Sequence, residues 1–249
     1  MAFLIGAAPA SAGSAMTFTL GRLTASKSCG APCAEFIVAR GEIGFTSVLD
    51  YVGVRKRAGE RNLPIILESP GGIIGGARLL ARLWRDAGLA VVIAHARPRC
   101  GEEAGMPPCE QPDARDGVRI YEITPIAHCA SACVILLAGG AHRLATPGAQ
   151  IGVHRPYVEK DSWVDRTTKS LGAKEGETER RSVEGYGAAL AQYGIDPALG
   201  ERAGRTASAE IDWFGRDEAR TYRLVNGTFD DLKYFPALAE ALRQLEPKP

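Results

Sequence analysis

The chain has 249 residues, with 30 Lys and Arg against 29 Asp and Glu and a formal net charge of +1. Hydrophobic residues make up 45% and charged residues 24%, which is enough apolar material for one full α/β core and excludes both the basic excess of a nucleic-acid binder and the polar bias of a disordered chain. There is no internal repeat, and past the first residues no apolar run is long enough to cross a bilayer.

Ala2 to Ala8 is a short apolar run followed by Pro9-Ala10-Ser11-Ala12, whose small residues fit a signal-peptidase site although no basic segment precedes them. Residues 1–12 are therefore expected to be a signal peptide and 13–34 a weakly structured leader, with Thr17 to Leu20 as an edge strand. The expected location is periplasmic or secreted, with the cytoplasm as the alternative. Six cysteines in three local groups, Cys29 with Cys33, Cys100 with Cys109 and Cys129 with Cys133, agree with an exported, disulfide-bonded chain. Cys100 with Cys109 is the favoured pair because it would staple a loop rich in Pro and Gly. Cys129 and Cys133 are either bonded or buried as small hydrophobes. No spacing is that of a zinc site, and neither a metal nor a cofactor is expected.

Phe36 to Ala39 reads as a first core strand, Gly41 to Gly44 as a turn, and Phe45 to Arg57 as a helix with Val48, Leu49 and Val52 on one face. Pro64 to Glu68 is a buried strand and Ser69-Pro70-Gly71-Gly72 a tight turn. Ile73, Ala77, Leu80, Trp84 and Ala87 then mark one face of a helix that Gly88 ends. With Leu89 to Ala94 this makes a βαβ unit of parallel strands. Arg97 to Gly117 is a long insertion, Gly117 to Ile123 a strand, and Arg143 to Thr146 and Gln150 to His154 are short strands around Pro147-Gly148. Residues 157–178 look like a mobile segment or lid. Helices are expected over Thr178 to Tyr193, after the Asp196-Pro197 cap, over Arg216 to Tyr222, and over Pro236 to Leu245.

Two glycines at 71 and 72 let a backbone N–H face outward at low steric cost, the kind of donor that stabilises an oxyanion. Ser131, between alanines and ahead of the apolar run Val134 to Ala138, has the small neighbours and the helix start that a nucleophile needs. His154, at a strand end, suits a general base, and Asp212 or Glu210 could orient its other ring nitrogen.

With these residues in order, the chain resembles the Clp-protease/crotonase superfamily on its ClpP-like serine peptidase side, and is similar to exported members. Leu67-Glu68-Ser69-Pro70-Gly71-Gly72 resembles the family's oxyanion turn. Cys129-Ala130-Ser131-Ala132-Cys133 sits where the nucleophile does, and Ile151-Gly152-Val153-His154-Arg155-Pro156 resembles the histidine strand. Asp212-Trp213-Phe214 through Glu218-Ala219, with Tyr222-Arg223-Leu224-Val225-Asn226, resembles the acid segment more loosely.

The resemblance implies a spiral of repeated β-β-α units around a mostly parallel sheet, spanning residues 35–235 with the 97–117 insertion, then a terminal helix and tail over 236–249. It implies acyl transfer to peptide or ester substrates. Ser131 is the nucleophile, His154 the base and Asp212 the acid, with Gly71 or Gly72 and Ala132 as oxyanion donors. It also implies a homo-oligomer. The competing classes are a catalytically inactive binding or scaffold relative and a crotonase-type acyl-CoA enzyme.

Overall fold

Phe36 to Ala39 and Ile65 to Leu67 are apolar at every position, as suits strands covered on both faces. A computed structural model puts them at the centre of a seven-stranded sheet and describes residues 14–23, 35–99, 118–158, 166–167, 170–172 and 177–247. The expected signal peptide, the tail's last two residues, Cys29, Cys33, Cys100, Cys109 and nearly all of the 97–117 insertion lie outside the described residues, as does part of the expected lid.

The protein is mixed α/β. Strands β1 (Thr17–Leu23), β2 (Glu35–Arg40), β3 (Ile65–Glu68), β4 (Ala90–Ile93), β5 (His95–Pro98), β6 (Val118–Thr124) and β8 (His142–Ala145) form the large sheet in the order β5-β6-β1-β2-β3-β4-β8. It is parallel from β2 through β3 and β4 to β8 and between β1 and β6, and antiparallel at β1–β2 and β5–β6. A second sheet, β10-β9-β7, joins β7 (Ala127–Ala130) in parallel to β9 (Ala149–Val153), which pairs antiparallel with β10 (Asp212–Gly215).

Side chains alternate across each strand. Ile37, Ala39, Ile65, Leu67, Val91 and Ile93 face α1 (Ser47–Arg57), α2 (Ile74–Asp86) and α3 (Cys133–Gly139) in one core that also takes in α4 (Glu177–Ala191) and α5 (Pro197–Arg205). Phe36, Val38, Ile66, Val92 and Leu144 face the opposite way, against a 3-10 turn at Phe229–Leu232 and α7 (Pro236–Arg243). A short α6 (Arg216–Thr221) follows β10.

Three expectations change. Thr17 to Leu20 is no edge strand, because β6 pairs with its free side and makes it interior. Within the expected leader, Thr17–Leu23 therefore contribute an interior strand, and the helix at Pro236 packs on the same body. The two strands around Pro147-Gly148 do not pair with one another, β8 closing the large sheet and β9 centring the small one. In α1 the buried residues are Ser47, Tyr51 and Val54, so Leu49 and Val52 point outward and only Val48 leans on the core. Tyr51 takes the inner position because its ring meets Phe18 and Trp84 edge-on.

Arg143, 4% exposed, fastens the C-terminal segment to the edge of the large sheet. Its guanidinium donates to the carbonyls of Leu224, Gly140 and Arg223 at 3.0, 3.2 and 2.8 Å, and burial lowers its pKa to about 10. No helix among the described residues is long and apolar enough to cross a membrane.

Candidate active site

Ser131 occupies the turn between β7 and α3, with φ at +57°. A left-handed conformation costs a residue with a Cβ about 1–2 kcal/mol, so it persists only where the surroundings impose it. Here they do. The Ser131 N–H donates to the Gly152 carbonyl at 2.9 Å, while its own carbonyl accepts from the Val134 N–H at 3.0 Å and the Tyr186 hydroxyl at 3.2 Å. Tyr186 comes from α4, and burial pushes its phenol far above the ordinary range, so the hydroxyl stays a donor. Nothing in the sequence around Tyr186 marks it for this role.

Cys129 and Cys133 are bonded to one another across the serine, tying the end of β7 to the first turn of α3, and both are fully buried. Closing so short a loop stabilises the native chain by about 2 kcal/mol. Cys129→Ala with Cys133→Ala should lower the unfolding free energy in urea by about that amount, and an unchanged midpoint would show the clamp to be idle.

The glycine turn packs directly on this element. A bridge between Ser69 and Cys129 brings the end of β3 to β7, and a Cβ placed on Gly71 would stand 2.7 Å from the Ser131 Cβ. Gly71 and Gly72 have φ of +112° and +131°. The Gly71 N–H is taken by Ser69 Oγ at 3.1 Å, and the Gly71 carbonyl accepts from Ile43 N–H at 2.7 Å. In a trans peptide the N–H points opposite the carbonyl, so the Gly72 N–H faces away from Ile43. By the same geometry the Ala132 N–H faces away from Val134 and Tyr186. Among the described residues neither N–H has a hydrogen-bond partner, so Gly72 and Ala132 are the free donors of the expected set and Gly71 is not.

His154 follows β9, whose Gly152 is in register with Ala130. Ser131 and His154 thus leave adjacent parallel strands at the same carboxyl end. His154 Nδ1–H donates to the Arg155 carbonyl at 3.0 Å, which leaves the lone pair on Nε2. Burial pulls the imidazole pKa below its ordinary value and the carbonyl contact opposes this only in part. No hydrogen bond joins Ser131 Oγ to His154 among the described residues. The remaining histidines are engaged elsewhere: His95 and His128 face Glu68 at 2.7 and 4.0 Å, and His142 faces Asp231 at 3.8 Å.

The expected acid is not brought to the histidine. Asp212 is held by Arg202, whose Nε and Nη2 donate to its two carboxylate oxygens at 2.6 and 2.7 Å, and this guanidinium keeps the carboxyl below its usual range. Strand register explains the separation. Asp212 lies opposite Val153 and shares its face, whereas the next side chain, His154, alternates to the other. Among the described residues Glu210 forms no hydrogen bond or ion pair with His154 either. The group that orients the imidazole is the Arg155 carbonyl, and Arg155 is anchored by its backbone N–H donating to Thr206 O and its side-chain Nε donating to Gly204 O at 3.0 and 3.1 Å. A backbone carbonyl has no sequence signature, so the sequence points only to side-chain acids.

The site thus offers a hydroxyl on a strained turn, two N–H donors without partners among the described residues and an imidazole with its lone pair on Nε2, the parts acyl transfer requires. No protein-family model matches the chain, and no curated protein does so either.

Proposed function

We propose that the protein is a serine hydrolase of the ClpP-like kind, cleaving peptide or ester bonds through an acyl-enzyme on Ser131 within a crotonase-like spiral. His154 Nε2 takes the hydroxyl proton as Oγ attacks the carbonyl and returns it to the leaving group. The Gly72 and Ala132 N–H groups hold the oxyanion, and the Arg155 carbonyl does the orienting expected of an acid. The observation that carries the reading is Ser131 itself, held at positive φ on a strand-to-helix turn beside two unpartnered donors. Export, which rests on the N-terminal apolar run and the cysteines, and a homo-oligomeric assembly, which rests on the resemblance, belong to the same proposal. The test is hydrolysis of p-nitrophenyl acetate, with fluorescent casein to separate peptidase from esterase. Turnover above background that Ser131→Ala abolishes supports the reading, and turnover that survives Ser131→Ala overturns it.

A second reading, an inactive scaffold that keeps the fold to bind a partner, is favoured by the engagement of Asp212 with Arg202. It predicts a folded protein with no esterolysis at all.

A further inference from the structure

Helix α1 is apolar on both sides. Its inner face carries Tyr51 and Val54, yet Leu49 and Val52 on its outer face are 72% and 39% exposed, and Phe45 just before it is 64% exposed. These residues recur at spacings of four and three, so they form one outward stripe. The stripe continues onto α2. The Phe45 ring lies 3.6 Å from the Cβ position of Gly75, and one turn further along, Leu79 is 57% exposed. Because α1 and α2 follow adjacent parallel strands, they run side by side and their outer faces adjoin.

Basic side chains border this apolar surface. Arg78, Arg82 and Arg85, at spacings of four and three on α2, line a groove of about 800 Å³ together with Leu79, Asp86 and Tyr193. Arg85 forms the floor, donating to the Ala138 carbonyl at 2.8 Å with its guanidinium 5.2 Å from the Tyr193 ring centre. Arg82 meets Asp86 only at 3.8 Å, and Arg78 has no ion pair among the described residues. Lys56 and Arg57 add two exposed cations at the end of α1, and cations outnumber the carboxylates Asp50 and Asp86 on the outward faces of the two helices.

We propose that this face is a peripheral docking surface for an anionic phospholipid membrane, with headgroup phosphates in the arginine groove and Phe45, Leu49 and Leu79 entering the acyl boundary. Large apolar side chains rimmed by Arg and Lys are what an interfacial helix presents to a bilayer. The long arginine stems let their charged ends reach the phosphates while the apolar residues sink past them. Gly75 and Leu79 belong to both groove and stripe, so a single lipid layer can satisfy both at once. The proposal does not depend on catalysis at Ser131, because the surface is read by binding alone.

The experiment is co-sedimentation of the full chain with vesicles of pure phosphatidylcholine and of equal parts phosphatidylcholine and phosphatidylglycerol. The protein should pellet with the anionic vesicles only, and raising the salt from 0.1 to 0.5 M should release it. Each of Arg78→Gln and Arg82→Gln should weaken binding about fivefold, near the worth of one cation at a charged surface. Leu49→Ser with Leu79→Ser should weaken it further with an unchanged circular dichroism spectrum. Equal binding to both vesicles, or binding indifferent to both sets of variants, overturns the proposal. So does a wild-type chain that stays in the supernatant and forms a dimer abolished by Leu49→Ser with Leu79→Ser, since a second copy would then cover the face.

Discussion

Replacing Gly71 with alanine should abolish esterolysis and lower the unfolding free energy by about 4 kcal/mol, the combined cost of a strained backbone and an overpacked contact. The new Cβ would fall 2.7 Å from the Ser131 Cβ and 2.8 Å from the Ala130 carbonyl oxygen, both on a turn already fixed by three hydrogen bonds and a disulfide. At φ +112° the alanine is also in a conformation that L residues rarely adopt. Neither partner can retreat without moving Ser131. Urea unfolding and p-nitrophenyl acetate hydrolysis read the two effects separately, and a variant within about 1 kcal/mol of the parent, hydrolysing at the parent rate, would mean that the turn does not bear on Ser131.

The second large effect is expected at His154. His154→Ala should lower kcat on the order of 10⁴-fold, the upper range for loss of a general base. The pH dependence carries more information. Burial holds the imidazole pKa below 6.5, so the histidine stays neutral, and the acid limb of kcat/KM should have its midpoint below that value. The same shift fixes a stability trend. Below pH 6.5 the unfolded chain binds more protons than the native one at this residue. Its contribution is therefore fully present above that pH and is lost as pH falls toward the native pKa. Asp212→Asn should leave the acid limb where it stands, because Asp212 is bound to Arg202 and the imidazole is oriented by a carbonyl. A limb that moves with Asp212→Asn would restore the acid to the triad.

The central strands were legible because apolar runs at 36–39, 65–67 and 91–93 admit few alternatives, and the periodicity from Ala77 to Trp84 gave α2 its buried face. The contact between the glycine turn and Ser131 was not legible in this way: the strand read at 117–123 runs antiparallel to β3, and the contact comes instead from β7, which bridges in parallel to the end of β3 at Ser69 and Cys129. What sequence could not convey was the partition into two sheets. Ala127 to Ala130 and Asp212 to Gly215 are short, mixed in polarity and defined by their partners rather than by any internal pattern. Missing that partition misplaced Asp212, whose face is set by register with Val153. The inversion of α1 has a related cause. Its apolar residues outnumber the positions a single core face can take, and periodicity alone does not say which set turns inward.

The claim on which the account turns is that Ser131 Oγ is a nucleophile, and a covalent probe reads it without knowledge of the substrate. Treating the folded protein with a fluorophosphonate and mapping the adduct by peptide mass spectrometry should place one phosphonyl group on Ser131, with His154→Ala unlabelled. An intact, folded chain that carries no adduct, or carries it on another residue, would contradict the account.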